Sequence, residues 1–305
     1  VRIPGNPHAL LRFVPIPTPV SALGIQSLLR TIYSMPIPTQ RTLLETVSEL
    51  LPSAGDVKVE WTTLGGLRTL VLTPPNAGAG AVYYLHGGAF CVMSPNAYQS
   101  FLTWLAQASG CRVYAPEYAL APENPFPAAY DDAVAGAYSI LDRVPANQLV
   151  VAGDSAGGNL ALSAARALTR SRHASLAGLV LISPWSEPAA PPAGEGDAML
   201  TEKWLNECAD AYLDGANPGD PRVSPIFGDL TGLPKTLIHA ADDEILNPQA
   251  KETAQALRDA GVDVELVELS GFMHSGHIFS GVLRPAAQQT EALGAFIRSV
   301  LPQEG

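Results

Sequence analysis

The stretch Leu149-Val150-Val151-Ala152-Gly153-Asp154-Ser155-Ala156-Gly157-Gly158 decides the architecture of this 305-residue chain. The apolar run at its start reads as a strand buried on both faces, and a helical pattern begins at Ala156. Between them Gly-x-Ser-x-Gly marks a sharp strand-to-helix turn that holds the Ser155 hydroxyl above the end of the sheet. Flanking glycines leave room for a strained backbone at Ser155, and the helix N-terminus lies beneath it. A phosphate-binding loop is the competing reading, but the Gly-Lys-Ser/Thr it requires does not occur.

Working outward, short apolar or β-branched runs recur at 57–61, 67–72, 81–85, 111–115, 148–152, 178–182, 236–240 and 264–269. Helical patterns fall at 97–109, 128–141, 156–170, 248–260 and 285–299. Strands alternating with helices predict a mostly parallel sheet covered on both faces. Gly65-Gly66 between the first two runs suits a hairpin, and hence an antiparallel edge. The expected class is therefore α/β, with an eight-stranded, mostly parallel sheet flanked by helices.

Two regions break the alternation. Residues 1–50 carry Pro4, Pro7, Pro15, Pro17 and Pro19, then helical patterns around 20–33 and 38–51. Residues 184–232 carry Pro188, Pro191, Pro192, Pro218 and Pro221 around a helical pattern at 199–213. A long insertion after a sheet strand is more often a lid than an idle loop. Met199, Leu200, Trp204, Leu205, Tyr212 and Leu213 give its helix an apolar surface that needs something to pack on. We therefore expect an N-terminal cap segment at 1–50, a core at 51–183, an internal cap insertion at 184–232, and the rest of the core at 233–305.

Composition bounds the function. Apolar residues make up 47 % and charged residues 15 %, with 29 acids against 18 bases. A net charge of −11 gives no general attraction to nucleic acid or anionic membrane. Cys91, Cys111 and Cys208 are too few and too scattered for a disulfide framework or a zinc site, and read as buried thiols. No apolar stretch is long enough to span a bilayer, and no signal-peptide pattern is visible, so the expected location is cytoplasmic.

His86-Gly87-Gly88-Ala89 directly follows the third strand run, and the serine turn follows the fifth. Small residues there let backbone N–H groups face a pocket, as acyl transfer requires of an oxyanion hole. Serine chemistry also needs a later carboxylate and then a histidine. Asp242 and Asp243 follow the seventh run, and His274 and His277 follow the eighth.

With Tyr118-Ala119-Leu120-Ala121-Pro122-Glu123, Phe126-Pro127-Ala128, Ser224-Pro225-Ile226 and Gly232-Leu233-Pro234 added, the chain resembles the hormone-sensitive-lipase-like (bacterial family IV) esterases. That resemblance implies the α/β-hydrolase fold with a helical cap. It also implies a serine carboxylesterase acting on short-to-medium acyl esters through an acyl-enzyme, with Ser155, Asp243 and His274 as the triad. Gly88, Ala89 and Ala156 would form the oxyanion hole. The resemblance selects Asp243 over Asp242 and His274 over His277, which becomes a pocket-wall or packing residue. It has Asp154 orient the turn, His86 prop the oxyanion loop, and Glu117 and Glu123 tie the 118–123 segment to that loop. Two departures are Ala89, where the family carries a third glycine, and Ser186-Glu187, where it commonly has Asp. No metal or organic cofactor is implied. The expected partner is a small-molecule ester, with no nucleic acid and no stable membrane anchor, and a homodimer is compatible with the reading. Hydrolysis of lactones, amides or formamides on the same scaffold is the alternative, as is a non-catalytic small-ligand receptor.

Overall fold

Eight apolar or β-branched runs become the strands of one sheet: β1 Lys58–Leu64, β2 Leu67–Thr73, β3 Ala81–Leu85, β4 Arg112–Pro116, β5 Leu149–Asp154, β6 Gly178–Ile182, β7 Thr236–Ala241 and β8 Val264–Leu269. The computed structural model describes residues 18–194 and 197–302. The spatial order is β1-β2-β4-β3-β5-β6-β7-β8. β1 and β4 both pair antiparallel to β2, and every other pairing is parallel. Burial follows position. Every residue of β3, β5, β6 and β7 is buried, whereas the edge strands β1 and β8 are largely exposed or half-buried. Central strands covered on both faces are therefore mostly apolar, and edge strands need not be.

The helices are α1 Thr18–Tyr33, α2 Ile37–Ser48, α3 Gln99–Ser109, α4 Ala128–Leu141, α5 Ala156–Arg172, α6 Glu202–Leu213, α7 Asn247–Asp259 and α8 Arg284–Val300. α3 packs on α8 and α4 on α5. α5 ends on Arg170 and Arg172, whose charges suit the negative end of the helix dipole. Its near-continuous burial explains the Ala- and Leu-rich sequence of its first three turns. The expected helix at 199–213 starts later, at Glu202, for a local reason. The Asp197 carboxylate accepts from the N–H groups of Met199 and Leu200 at 2.8 Å, and the Thr201 hydroxyl then caps the helix at Trp204 N. Those bonds hold a bend at 198–199 and leave Thr201 extended, so the helix begins only after it.

Parallel register sets the position of the site. Leu85 lies opposite Gly153, Asp154 opposite Ile182, Ile182 opposite His239, and Ala241 opposite Leu269. The loops after β3, β5, β6, β7 and β8 therefore leave the same edge of the sheet, where open α/β sheets carry their sites. α1, α2 and α6 meet over that edge. Tyr33 stacks on Trp204 with ring centroids 4.2 Å apart, and Trp204 Nε1 donates to Gln40 Oε1 at 3.1 Å. The apolar residues singled out in α6 and just before it are all buried. Residues 1–17, with most of the prolines of the opening segment, and Glu195 and Gly196 of the insertion lie outside the described residues.

Candidate active site

Ser155 stands on a backbone that L-residues rarely adopt, φ 53° and ψ −123°, between the last residue of β5 and the first of α5. Both glycines of the turn are required by contact. A Cβ on Gly153 would sit 2.2 Å from the Gly157 carbonyl oxygen, and one on Gly157 would sit 2.1 Å from the Leu85 carbonyl oxygen. The strain is held by neighbours: Ser155 N donates to Ile182 O at 2.8 Å, and Trp185 N donates to Ser155 O at 3.0 Å.

The loop after β3 runs alongside. Gly88 has φ 113°, and Ala89 and Phe90 have φ 51° and 60°. A Cβ on Gly88 would lie 2.1 Å from the Val92 carbonyl oxygen, so no other residue fits there. Ala89 takes the left-handed conformation in spite of its methyl group. Among the described residues no hydrogen-bond partner is found for the N–H of Gly88 or Ala89. Gly87 N, by contrast, donates to Asp154 Oδ1 at 2.9 Å, which ties this loop to the serine turn. Asp154 also accepts from Tyr84 Oη at 2.9 Å and Tyr98 Oη at 2.8 Å. Burial raises its pKa, and the two tyrosine hydroxyls pull it back. His86 is buried, with Nδ1 2.7 Å from the Gly87 carbonyl oxygen. Its ring stacks on Tyr118 at 4.3 Å, and burial lowers its pKa to about 4.

The acid beside the histidine is not the expected one. His274 Nδ1 lies 2.8 Å from Glu244 Oε2, and both side chains are buried. Asp243 is exposed, at the outer side of the same turn. Asp242 is also exposed and accepts from Gly271 N at 3.2 Å, which joins the β7 and β8 loops. The carboxylate that meets His274 is therefore Glu244, not the Asp243 that the resemblance selects. Ile245 and Leu246 are buried behind Glu244 and pull that residue inward, leaving the two aspartates in water. The buried apolar pair directly after the third of three acids was the available signal. Glu244 Oε1 is buried without a hydrogen-bond partner among the described residues.

Burial disfavours a charged His274, but the negative charges of Glu244, Asp197 and Asp154 outweigh it and raise the pKa above the ordinary 6.5. His277 packs elsewhere. Its Nε2 lies 3.2 Å from His239 Nδ1, its ring meets Phe272 edge-on, and burial drives its pKa well down.

Ser155 and His274 line one cavity of about 620 Å³, measured with its open mouth. Leu29, Tyr33, Leu44, Val47 and Leu51 from the N-terminal helices and their exit form one wall. Met199, Leu200 and Trp204 form another, and Ile278 and Phe279 close the side next to His274. Among the described residues no group of three or more His, Cys, Asp or Glu side chains comes together as a metal site. No helix among them is long and apolar enough to cross a membrane. All three cysteines are buried and unpaired.

Glu117 and Glu123 do not reach the loop after β3 directly. Glu117 pairs with Arg68 of β2, and Glu123 pairs with Arg41 of α2.

The family model described as the alpha/beta hydrolase fold matches residues 82–278. An acetyl-hydrolase of Streptomyces hygroscopicus is 33 % identical over 269 residues, covering 86 % of this chain and 90 % of that relative. An ethyl acetate hydrolase of Pseudomonas putida is 33 % identical over 216 residues, covering 66 % of this chain and 67 % of that relative. The crystal structure of an esterase from the bacterial hormone-sensitive lipase family superposes with a TM-score of 0.87 at 30 % identity, covering 95 % of this chain and all of that one.

The contacts at the turn predict a graded pair of variants. Gly157→Ala drives a methyl group into two backbone carbonyls, whereas a Cβ on Gly158 meets Pro184 at 3.1 Å. Urea unfolding is expected to show Gly157→Ala destabilised by about 2 kcal/mol or more, as overpacking typically costs, and Gly158→Ala by clearly less. Equal stabilities would remove the close-approach argument.

Proposed function

The chain belongs to the hormone-sensitive-lipase-like esterases of the α/β-hydrolase fold, and we propose that this carboxylic ester hydrolase uses a Ser155–His274–Glu244 triad on small, neutral, apolar esters. The observation that carries the reading is the buried His274–Glu244 hydrogen bond at the wall of the cavity into which the Ser155 turn opens.

Ser155 Oγ attacks the ester carbonyl while His274 takes its proton. With Nδ1 engaged by Glu244, Nε2 is the nitrogen left for that transfer. The negative charge that develops on the carbonyl oxygen is met by the N–H groups of Gly88, Ala89 and Ala156. Ala156 opens α5, so its N–H is one of the unpaired donors of a helix N-terminus. His274 returns the proton to the leaving alcohol, which departs and leaves an acyl-Ser155 ester. A water then repeats the sequence and frees the acid. Glu244 holds the imidazole in one tautomer and stabilises its charged form. The described helices α1, α2 and α6 act as the cap that excludes water and shapes the substrate.

The triad acid is tested by a pair of amide variants. Glu244→Gln is expected to lower kcat by about ten-thousand-fold, since the amide no longer stabilises imidazolium. Asp243→Asn is expected to stay within about threefold of the parent, as exposed substitutions generally do. The reverse ranking would return the acid to Asp243.

The pH profile follows from the same carboxylates. They tighten the proton on His274, and catalysis needs that proton off, so kcat/KM should rise with pH through an ionisation above 6.5. Glu244→Gln removes one of those charges, so the residual activity should show that ionisation at lower pH. An unmoved acid limb would mean that Glu244 does not act on the titrating group.

Substrate class is read from the wall. Most of the lining is aliphatic or aromatic, and the Asp154 carboxylate is already satisfied by three donors. An acyl chain ending in a carboxylate would be buried there without a partner. Across p-nitrophenyl esters, kcat/KM for a butyryl group should exceed that for a singly charged succinyl group by about 100-fold, the equivalent of roughly 3 kcal/mol. Comparable values would place the acyl chain outside this cavity.

A further inference from the structure

Arg41 of α2 reaches across the cap boundary with nearly its whole donor set. Its Nε donates to the Cys91 carbonyl at 2.8 Å, and Nη2 donates to the Ala121 carbonyl at 2.7 Å. Nη1 and Nη2 also hold the two oxygens of Glu123 at 2.9 and 2.7 Å. Ala121 N in turn donates to the Phe90 carbonyl at 2.9 Å. These bonds close a ring through Phe90-Cys91, Ala121 and the guanidinium.

The ring matters because of what precedes it. Ala89 and Phe90 are consecutive residues at positive φ, and Gly88 before them is at φ 113°. Such a backbone persists only where its surroundings fix it. From within, Cys91 N and Val92 N both donate to the Gly88 carbonyl. From the α6 side, the Phe90 ring lies flat on Tyr212, 3.8 Å between centroids at 5°. From the α2 side, Arg41 binds the carbonyl of the residue that follows the strained pair.

We propose that Arg41 is a positioning residue for the oxyanion hole. By fixing Cys91 and Ala121 together it holds Gly88 and Ala89 with their N–H groups toward the reacting carbonyl, so the N-terminal helices set rate as well as substrate fit. The proposal rests on the esterase reading above. A lysine cannot reproduce it, because a single ammonium lacks the planar fork that spans two carbonyls and a carboxylate.

The test uses p-nitrophenyl acetate, whose acyl group is too short to draw much binding from the cap. Arg41→Lys and Arg41→Ala are expected to lower kcat by about tenfold or more, a part of the hundred- to thousandfold lost with a whole oxyanion donor. KM should change little. The inhibition constant of a trifluoromethyl ketone, which forms an oxyanion on Ser155, should weaken by the same factor as kcat/KM. Methylguanidinium should restore part of the Arg41→Ala activity. Glu45→Gln is the control. Glu45 lies on the same helix and binds Ser94 Oγ and Asn96 Nδ2, past the Gly88–Phe90 run and Met93. It should stay within about twofold in kcat, the small effect usual away from such features.

Should Arg41→Ala not fold, Arg41→Lys carries the same comparison. The proposal is overturned if kcat of Arg41→Lys matches the parent, if the loss appears in KM alone, or if Glu45→Gln loses as much, since general cap docking would then suffice. An inactive parent enzyme would overturn the esterase reading itself. An active parent with unaffected Arg41 variants would overturn only the role of Arg41.

Discussion

The carboxylate of Asp154, almost wholly buried, ties together the two segments that must meet for acyl transfer. A buried charge is costly unless its hydrogen-bonding capacity is met. Here it is met by Gly87 N from the loop after β3, Tyr84 Oη from β3 itself, and Tyr98 Oη from the entrance to α3. Because Asp154 precedes Ser155 and Gly87 precedes Gly88, one side chain sets the serine turn against the oxyanion loop. The glycines at 153 and 157 then allow the turn to lie against the end of β3. Remove the carboxylate, and two tyrosine hydroxyls lose their acceptor together, while Gly87 N keeps only Tyr98 Oη at 3.1 Å.

The helices α1, α2 and α6 are joined to one another and to this assembly by polar bonds as well as by apolar surface. Trp204 stacks on Tyr33 and donates to Gln40, so α6 and the N-terminal helices brace one another. The Asp197 carboxylate accepts from Ile245 N at 3.1 Å, and Gly194 N donates to Ile245 O at 3.0 Å. The insertion thus grips the residue directly after Glu244. A Cβ on Gly194 would come within 2.2 Å of the Glu244 carbonyl oxygen, so the two segments lie flush. The walls of the cavity and the backbone of Glu244 are parts of one packed unit.

Much of the fold was legible because it is written in local pattern. The apolar runs at 81–85, 148–152, 178–182 and 236–240, set between helical patterns, read as strands of a sheet covered on both faces, and β3, β5, β6 and β7 stand there. Ser155, His274 and the glycine loop were legible because their residue types are dictated by backbone geometry or chemistry. The acid beside His274 was not. Asp242-Asp243-Glu244 offers three carboxylates in a row, and the choice among them depends on which side of the β7 exit turn faces inward. That is decided by the burial of Ile245 and Leu246, a tertiary matter. Arg41 was invisible for the same reason. Its partners lie 50 and more residues away, and an arginine on a helix otherwise reads as solvated surface.

The most direct measurement of the central claim is covalent trapping of the nucleophile. The enzyme is treated with a fluorophosphonate, and the labelled peptide is located by mass spectrometry while residual esterase activity is followed. The arrangement of Ser155 with His274 and Glu244 predicts one label per chain, on Ser155, with activity lost in proportion to labelling. Labelling of another residue, or full activity in a protein fully labelled at Ser155, would contradict it.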